Sequence, residues 1–404
     1  MTTRALAAIA LSLLLSACAQ TPARPLPRVT APEQVTTALE WLRTGDIGGL
    51  LLVAATLGGQ PTTWLLDTGA GAHVIDSALA ARLALPTQAQ RRTVAIGGEQ
   101  SARQVVLPTL CLQSFCTENA AAVALDLTGY RSQTGREIHG ILGVPLLRTA
   151  EVRIDLKKPA LTLNAYPSAT PSADPPTWPQ GLPTLELTLD DQIQFRVIVD
   201  TGNAGALLLF SEFVNRTRLL RSDHPLPQLT RTELGGDASV HLGRFATVSG
   251  AGWTRTEVGA ALETPHRRTS PLSGRGFNGS AGTALFDHAT LVLDHRNGSV
   301  QVLAETPTAP VPGGFGLVLD PSADAIAVSH VLPASPAAQN GIQAGDRLHA
   351  IDGLSVATTA EVWRALAGRT HARFRFERAG QGFEVALERA WFLPQLHPAP
   401  AARR

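Results

Sequence analysis

The triplet Asp-Thr-Gly occurs twice in this 404-residue chain, at Asp67-Thr68-Gly69 and at Asp200-Thr201-Gly202. Each copy directly follows a run of apolar, strand-forming residues, Trp64-Leu65-Leu66 in the first case and Val197-Ile198-Val199 in the second. Each carboxylate therefore sits where a buried strand ends in a glycine turn. One such triplet would read as an ordinary surface loop, because Asp and Gly are common turn residues. Two in matching surroundings constrain the fold far more.

The surroundings repeat as well. Before each triplet comes a candidate β-hairpin, Leu50 to Leu57 turning at Gly58-Gly59-Gln60-Pro61, and Leu185 to Leu189 turning at Asp190-Asp191. After each comes a Gly-Gly-acid turn, Ile96-Gly97-Gly98-Glu99 and Leu234-Gly235-Gly236-Asp237, whose first glycines lie 30 and 35 residues beyond Asp67 and Asp200. A third match pairs Gly140-Ile141-Leu142-Gly143 with Gly279-Ser280-Ala281-Gly282, whose last glycines lie 76 and 82 residues beyond the same two Asp residues. The nearly constant lag predicts a tandem duplication of one β-rich unit.

Two strand-embedded Asp-Thr-Gly triplets, each followed by a glycine-rich hairpin and an apolar-Gly segment, resemble the aspartic peptidases. The first half resembles a retropepsin, with Ala70 after the triplet and Ile96-Gly97-Gly98 in the position of the flap. The resemblance implies a mainly β fold of two tandem retropepsin-like lobes, at 45–165 and 182–306, joined by a linker at 166–181 and forming a pseudo-dimer within one chain. The second half departs from the pattern. Asn203 replaces the usual small residue, and Ser280-Ala281 replaces the two large apolar residues found at Ile141-Leu142. These changes keep Asp200 and Thr201, and they point to a second lobe that is tuned or weakened.

The chemistry explains why two such turns are needed. Water attacks a peptide carbonyl when one group takes its proton while another protonates the carbonyl oxygen. Two carboxyls roughly 3 Å apart cannot both ionise, so they share one proton and supply both roles. Asp67 and Asp200 are thus the expected catalytic pair, titrating as a unit. Gly69 and Gly202 allow the tight turns and offer amides to the charge. The resemblance implies that Thr68 and Thr201 hydrogen-bond across the lobe interface, and that flaps at Ile96, Gly97 and Gly98 and at Gly235 and Gly236 close over an extended peptide. A peptide or protein substrate follows, with no cofactor. A catalytically silent peptide-binding adaptor of the same shape remains the alternative.

Proline clusters at 167–183 and at Pro307, Pro310 and Pro312 mark boundaries. Beyond the second, Gly314-Phe315-Gly316-Leu317, then Val328 to Ala338, then Gly341-Ile342-Gln343-Ala344-Gly345-Asp346 resemble in order a bacterial PDZ domain, placed at 312–390. That resemblance implies that backbone amides around Phe315, Gly316 and Leu317 receive the C-terminal carboxylate of a peptide added along a strand edge. Plain core is the other reading of those apolar side chains. A trypsin-like protease with a PDZ module would need a Gly-Asn-Ser-Gly-Gly nucleophile setting; Asn278-Gly279-Ser280 has the order wrong. The tail at 391–404 reads as a final strand fading into disorder.

At the other end, Arg4 precedes an apolar run from Ala5 to Leu15, too short to span a bilayer and sized for a secretory signal at 1–17. Leu15-Ser16-Ala17-Cys18 resembles the bacterial lipoprotein cleavage box. It implies lipidation of Cys18, a tether at 18–44, and membrane attachment through lipid alone, at the outer membrane facing the periplasm; an ordinary cleavage site is the alternative. The remaining pair, Cys111 and Cys116, reads as a disulfide across a hairpin or as two free thiols. No spaced set of Cys and His suggests a metal. His73, His139, His241 and His288 read as surface or rim residues. A net charge of +1 offers no basic face for nucleic acid.

Overall fold

The computed structural model describes residues 28–44, 48–95, 98–166, 178–221, 223–233, 236–250, 252–264, 272–273, 275–304, 313–320 and 326–397, with side chains undescribed at 28, 88–101, 132–133 and 231–238. The protein is mainly β. No helix among the described residues is long and apolar enough to cross a membrane.

Strands Leu50–Leu57 and Gln60–Leu66 form an antiparallel hairpin closed by Gly58 and Gly59. Both turn residues have positive φ, at 56° and 79°, which suits the twist of a two-residue hairpin loop. The second strand ends in three fully buried residues, Trp64, Leu65 and Leu66. Their unbroken apolar run reflects a strand covered on both faces, with Trp64 and Leu66 in one apolar cluster and Leu65 in another, and Gly140–Leu142 runs parallel beside it. Gly140–Leu142 also pairs antiparallel with His73–Asp76, which lies parallel to Ala121–Leu125.

The same pairing pattern recurs downstream. Thr184–Leu189 and Ile193–Val199 form a hairpin whose turn places Asp190 and Asp191 at φ of 45° and 54°, a region that Asp tolerates better than most residues. Val197, Ile198 and Val199 pair in parallel with Gly279–Ala281, which pairs antiparallel with Leu207–Leu209, itself parallel to Trp253–Glu263. Ala150–Asp155 and Ala289–Asp294 pair antiparallel and join the two regions edge to edge. One apolar cluster includes Trp64, Leu66, Val197, Val199 and Leu291, so the core is continuous across the join.

The expected tether at 18–44 is corrected from Arg28 onward. Arg28–Thr30 pairs with Phe115–Glu118, and Gln34–Leu42 is inserted between Leu50–Leu57 and Ala160–Ala165. Alternating burial at Val35, Thr37 and Leu39 carries this strand, a period-two signal that the nearby prolines obscure. Residue Cys18 lies outside the described residues. Cys111 and Cys116 are cross-strand partners joined by a disulfide.

Residues 313–390 form a separate sheet ordered Leu317–Asp320, Ile326–Val331, Arg347–Ile351, His371–Arg378 and Gln381–Glu388. Helix Thr359–Leu366 begins in a capping box between Thr358 and Glu361 and buries Val362, Trp363 and Leu366. The tail differs from the expected fading strand. Leu396 is 2% exposed within the core of the Trp253–Glu263 region, and its N–H donates to the Arg244 carbonyl at 2.7 Å. The Arg244 N–H donates to the Pro394 carbonyl at 3.0 Å. Gly243 makes room, because a Cβ there would stand 2.6 Å from the Leu396 side chain.

Candidate active site

Asp67 and Asp200 follow the ends of the strands Gln60–Leu66 and Ile193–Val199. Each backbone N–H is held by a neighbouring strand: that of Asp67 donates to Leu142 C=O at 3.0 Å, and that of Asp200 to Ala281 C=O at 2.9 Å. Gly69 N–H then donates to Asp67 Oδ1 at 2.8 Å, and Gly202 N–H to Asp200 Oδ1 at 3.0 Å. The turn thus aims a backbone dipole at each carboxyl.

Thr68 and Thr201 join the two turns. Thr68 Oγ1 donates to Val199 C=O at 2.6 Å and accepts from Thr201 N–H at 3.1 Å. Thr201 Oγ1 donates to Leu66 C=O at 2.8 Å and accepts from Thr68 N–H at 3.1 Å. Both side chains are buried, so these polar atoms have no water to replace a lost partner.

The glycines are required by the approach of the opposite turn. A Cβ on Gly69 would lie 2.7 Å from Asp200 Cγ, and one on Gly202 would lie 2.5 Å from Asp67 Oδ2. Each carboxyl therefore lies against the glycine of the opposite turn. Burial, then the Asp200 charge, holds the Asp67 carboxyl well above its ordinary range. Burial also raises Asp200, opposed by hydrogen bonds led by that from Ser280. Two carboxyls in such surroundings can share a proton, so that one accepts while the other donates.

Ile96, Gly97 and Gly235 lie outside the described residues. Gly98 opens the strand Gly98–Val106, hairpin partner of Thr87–Ala95, and Gly236 opens Gly236–Gly250, hairpin partner of Gln228–Glu233. His73 is corrected from a rim residue to a fully buried one. Its Nδ1 accepts the Gly143 N–H at 3.2 Å, and burial lowers its pKa to about 4. The disulfide lies in the hairpin of Leu110–Leu112 and Phe115–Glu118, where Cys111 pairs with Thr56 beside the Gly58-Gly59 turn, at the opposite end of that hairpin from Asp67.

Thr283 was not legible as a site residue. It is buried, donates to Gly49 C=O at 2.6 Å and accepts from Gly49 N–H at 3.0 Å, tying the entry of the first hairpin to the second region. A lone Thr carries no sequence signal for a partner 234 residues away. Ser280 departs from the apolar pattern in the sequence, and nothing local marks it as a neighbour of Asp200.

Residues 53–146 match the family model described as aspartyl protease, and residues 328–378 match a PDZ domain model. The chain has an aspartic-protease-like domain and a C-terminal PDZ domain. No curated protein matches the chain. A solved structure, a retropepsin-like aspartic protease from Rickettsia conorii, is 21% identical over 34% of this chain and 93% of that one, with a TM-score of 0.24. In the PDZ domain, Phe315 and Leu317 point into the core, where Phe315 meets the Phe374 ring edge-on at a centroid distance of 5.2 Å. Gly316 has a φ of 83°, and its carbonyl accepts the Leu332 N–H. The strand Leu317–Asp320 lies at the edge of the PDZ sheet.

Proposed function

We propose that this protein is an aspartic endopeptidase in which two retropepsin-like lobes of one chain form a pseudo-dimer around Asp67 and Asp200. The observation that carries the reading is the reciprocal bonding of Thr68 and Thr201, which sets the two Asp-Thr-Gly turns so close that a Cβ on either glycine would meet the opposite carboxyl. The repeated pairing of each Asp-bearing strand with an apolar-Gly strand supports a duplicated unit, with the first lobe beginning at Arg28 and the second near Leu182. The carboxyl pair takes a proton from water and gives one to the scissile carbonyl. The Gly98 and Gly236 hairpins serve as flaps over the bound peptide.

The PDZ domain recognises a peptide or regulates access, with its edge strand at Leu317–Asp320 as the surface for strand addition. Lipidation at Cys18 and export to the bacterial envelope complete the proposal, and they rest on the N-terminal sequence.

Cleavage of a mixed peptide library by the mature protein tests the mechanism. Asp67→Asn and Asp200→Asn each abolish it. Cleavage that survives both substitutions removes the carboxyl pair from the chemistry, and a folded wild type that binds peptides without cutting them is an adaptor.

A further inference from the structure

Asn203 and Ser280, the two departures of the second lobe from the peptidase pattern, touch each other beside Asp200. Asn203 Nδ2 donates to Ser280 Oγ at 3.0 Å, and both side chains are buried. The orientation of the carboxamide is set at its other end, where Oδ1 accepts the Gly205 N–H at 2.9 Å. An amide NH2 group cannot accept, so the one proton of the Ser280 hydroxyl is free for another partner. The Asp200 carboxyl stands beside it: Asn203, whose Nδ2 holds Ser280, donates its own N–H to Asp200 Oδ1 at 3.2 Å, which makes that carboxyl the partner for the Ser280 proton.

Asp200 therefore receives the Ser280 hydroxyl in addition to the N–H groups of Gly202 and Asn203. The matching position beside Asp67 has no such donor. Ser280 pairs with Ile198, two residues before Asp200, and Ile141 pairs with Leu65, two residues before Asp67. Isoleucine has no proton to give. An exchange that looked in the sequence like a loss of apolar packing places a polar group on one carboxyl and leaves the other without it.

Resting on the peptidase reading, we propose that Asn203 and Ser280 form a positioning relay that makes the carboxyl pair unequal, holding Asp200 as the ionised member and Asp67 as the protonated one. In the first step the water oxygen bonds to the scissile carbonyl carbon while its proton passes to Asp200. The proton of Asp67 passes to the carbonyl oxygen, giving a neutral gem-diol. In the second step Asp200 protonates the amide nitrogen, the carbon–nitrogen bond breaks, and a diol hydroxyl returns its proton to Asp67. The pair ends as it began. Burial raises both carboxyls; Ser280 is the leading group opposing the rise at Asp200, while the charge of Asp200 adds to the rise at Asp67.

The test follows the 13C carboxyl resonances of Asp in the mature full-length protein through a pH titration, with kcat/KM for peptide cleavage measured over the same range. Resonances of the pair are identified by their loss in Asp67→Asn and Asp200→Asn. Ser280→Ala is expected to raise the lower apparent pKa of the pair by about one pH unit and to carry the acid limb of kcat/KM with it. Ser280→Thr, which keeps the hydroxyl, restores the wild-type titration. Asn203→Ala moves it in the same direction as Ser280→Ala by a smaller amount. Should Ser280→Ala fail to fold by circular dichroism, the Asn203→Ala and Ser280→Thr titrations decide. A titration unmoved by loss of the relay overturns the proposal even if the protein cleaves peptides. A shifted titration in a protein that cleaves nothing upholds the relay and overturns the peptidase reading instead.

Discussion

The hydroxyl of Thr68 accepts the backbone N–H of Thr201 at 3.1 Å, and the hydroxyl of Thr201 accepts that of Thr68 at the same distance. Each hydroxyl spends its own proton on a carbonyl of the opposite region, Val199 or Leu66. Thr68→Val keeps the volume but leaves the Val199 carbonyl and the Thr201 N–H buried without partners. The expected loss is about 3 kcal/mol, read as a fall in the urea midpoint of unfolding, with cleavage reduced by about a hundredfold. Thr68→Ser retains the hydroxyl and should lose less than half as much; equal losses would mean that the methyl group contributes as much as the hydroxyl.

The raised carboxyl of Asp67 makes stability depend on pH in a definite direction. A carboxyl whose folded pKa lies above its unfolded value favours the fold while protonated. That contribution is complete below the ordinary value of 3.8 and is lost as pH rises through the folded value. Asp67→Asn is neutral throughout, so its unfolding temperature should exceed that of the wild type near neutrality and approach it in acid. Parallel pH dependence of the two proteins contradicts this.

His73 acts with the opposite sign. Its folded pKa of about 4 lies below the ordinary 6.5, so its contribution is present above 6.5 and is lost as pH falls toward 4. The loss should be on the order of 2–3 kcal/mol. His73→Asn can still accept the Gly143 N–H through Oδ1 without taking up a proton. Chemical denaturation at pH values spanning this window should show a flatter acid decline in the variant, and an unchanged decline places the acid sensitivity elsewhere.

The tail should contribute to the stability of the second region. Leu396 is buried over Gly243, so truncation to Ala opens a cavity against a residue with no side chain to fill it. Leu396→Ala is expected to cost about 3 kcal/mol, measured by denaturant unfolding. A substitution within 0.5 kcal/mol of wild type, roughly the range of ordinary surface changes, would mean that the tail lies free in solution.

Much of the local structure could be anticipated from residue order. Gly58-Gly59 and Asp190-Asp191 marked the two hairpin turns because the backbone of a tight turn demands residues that tolerate positive φ. The apolar runs before Asp67 and Asp200 marked strands covered on both faces. The Gln34–Leu42 strand is not legible in the sequence, because its alternation is interrupted by Trp41 and lies beside a proline-rich stretch. His73 was misplaced because nothing in its immediate neighbours reveals that Gly143 supplies an N–H to it. The roles of Ser280 and Thr283 also depend on partners distant in the chain.

Turn chemistry, strand periodicity and the recurrence of Asp-Thr-Gly are written in the order of the residues, because each is satisfied within a few positions and repeats at a visible spacing. The contact of Asp67 with Asp200, the crossing bonds of Thr68 and Thr201, and the bond from Asn203 to Ser280 belong to the folded molecule. They arise only when strands far apart in the chain are paired and buried, where a polar atom must find whichever partner the packing brings to it.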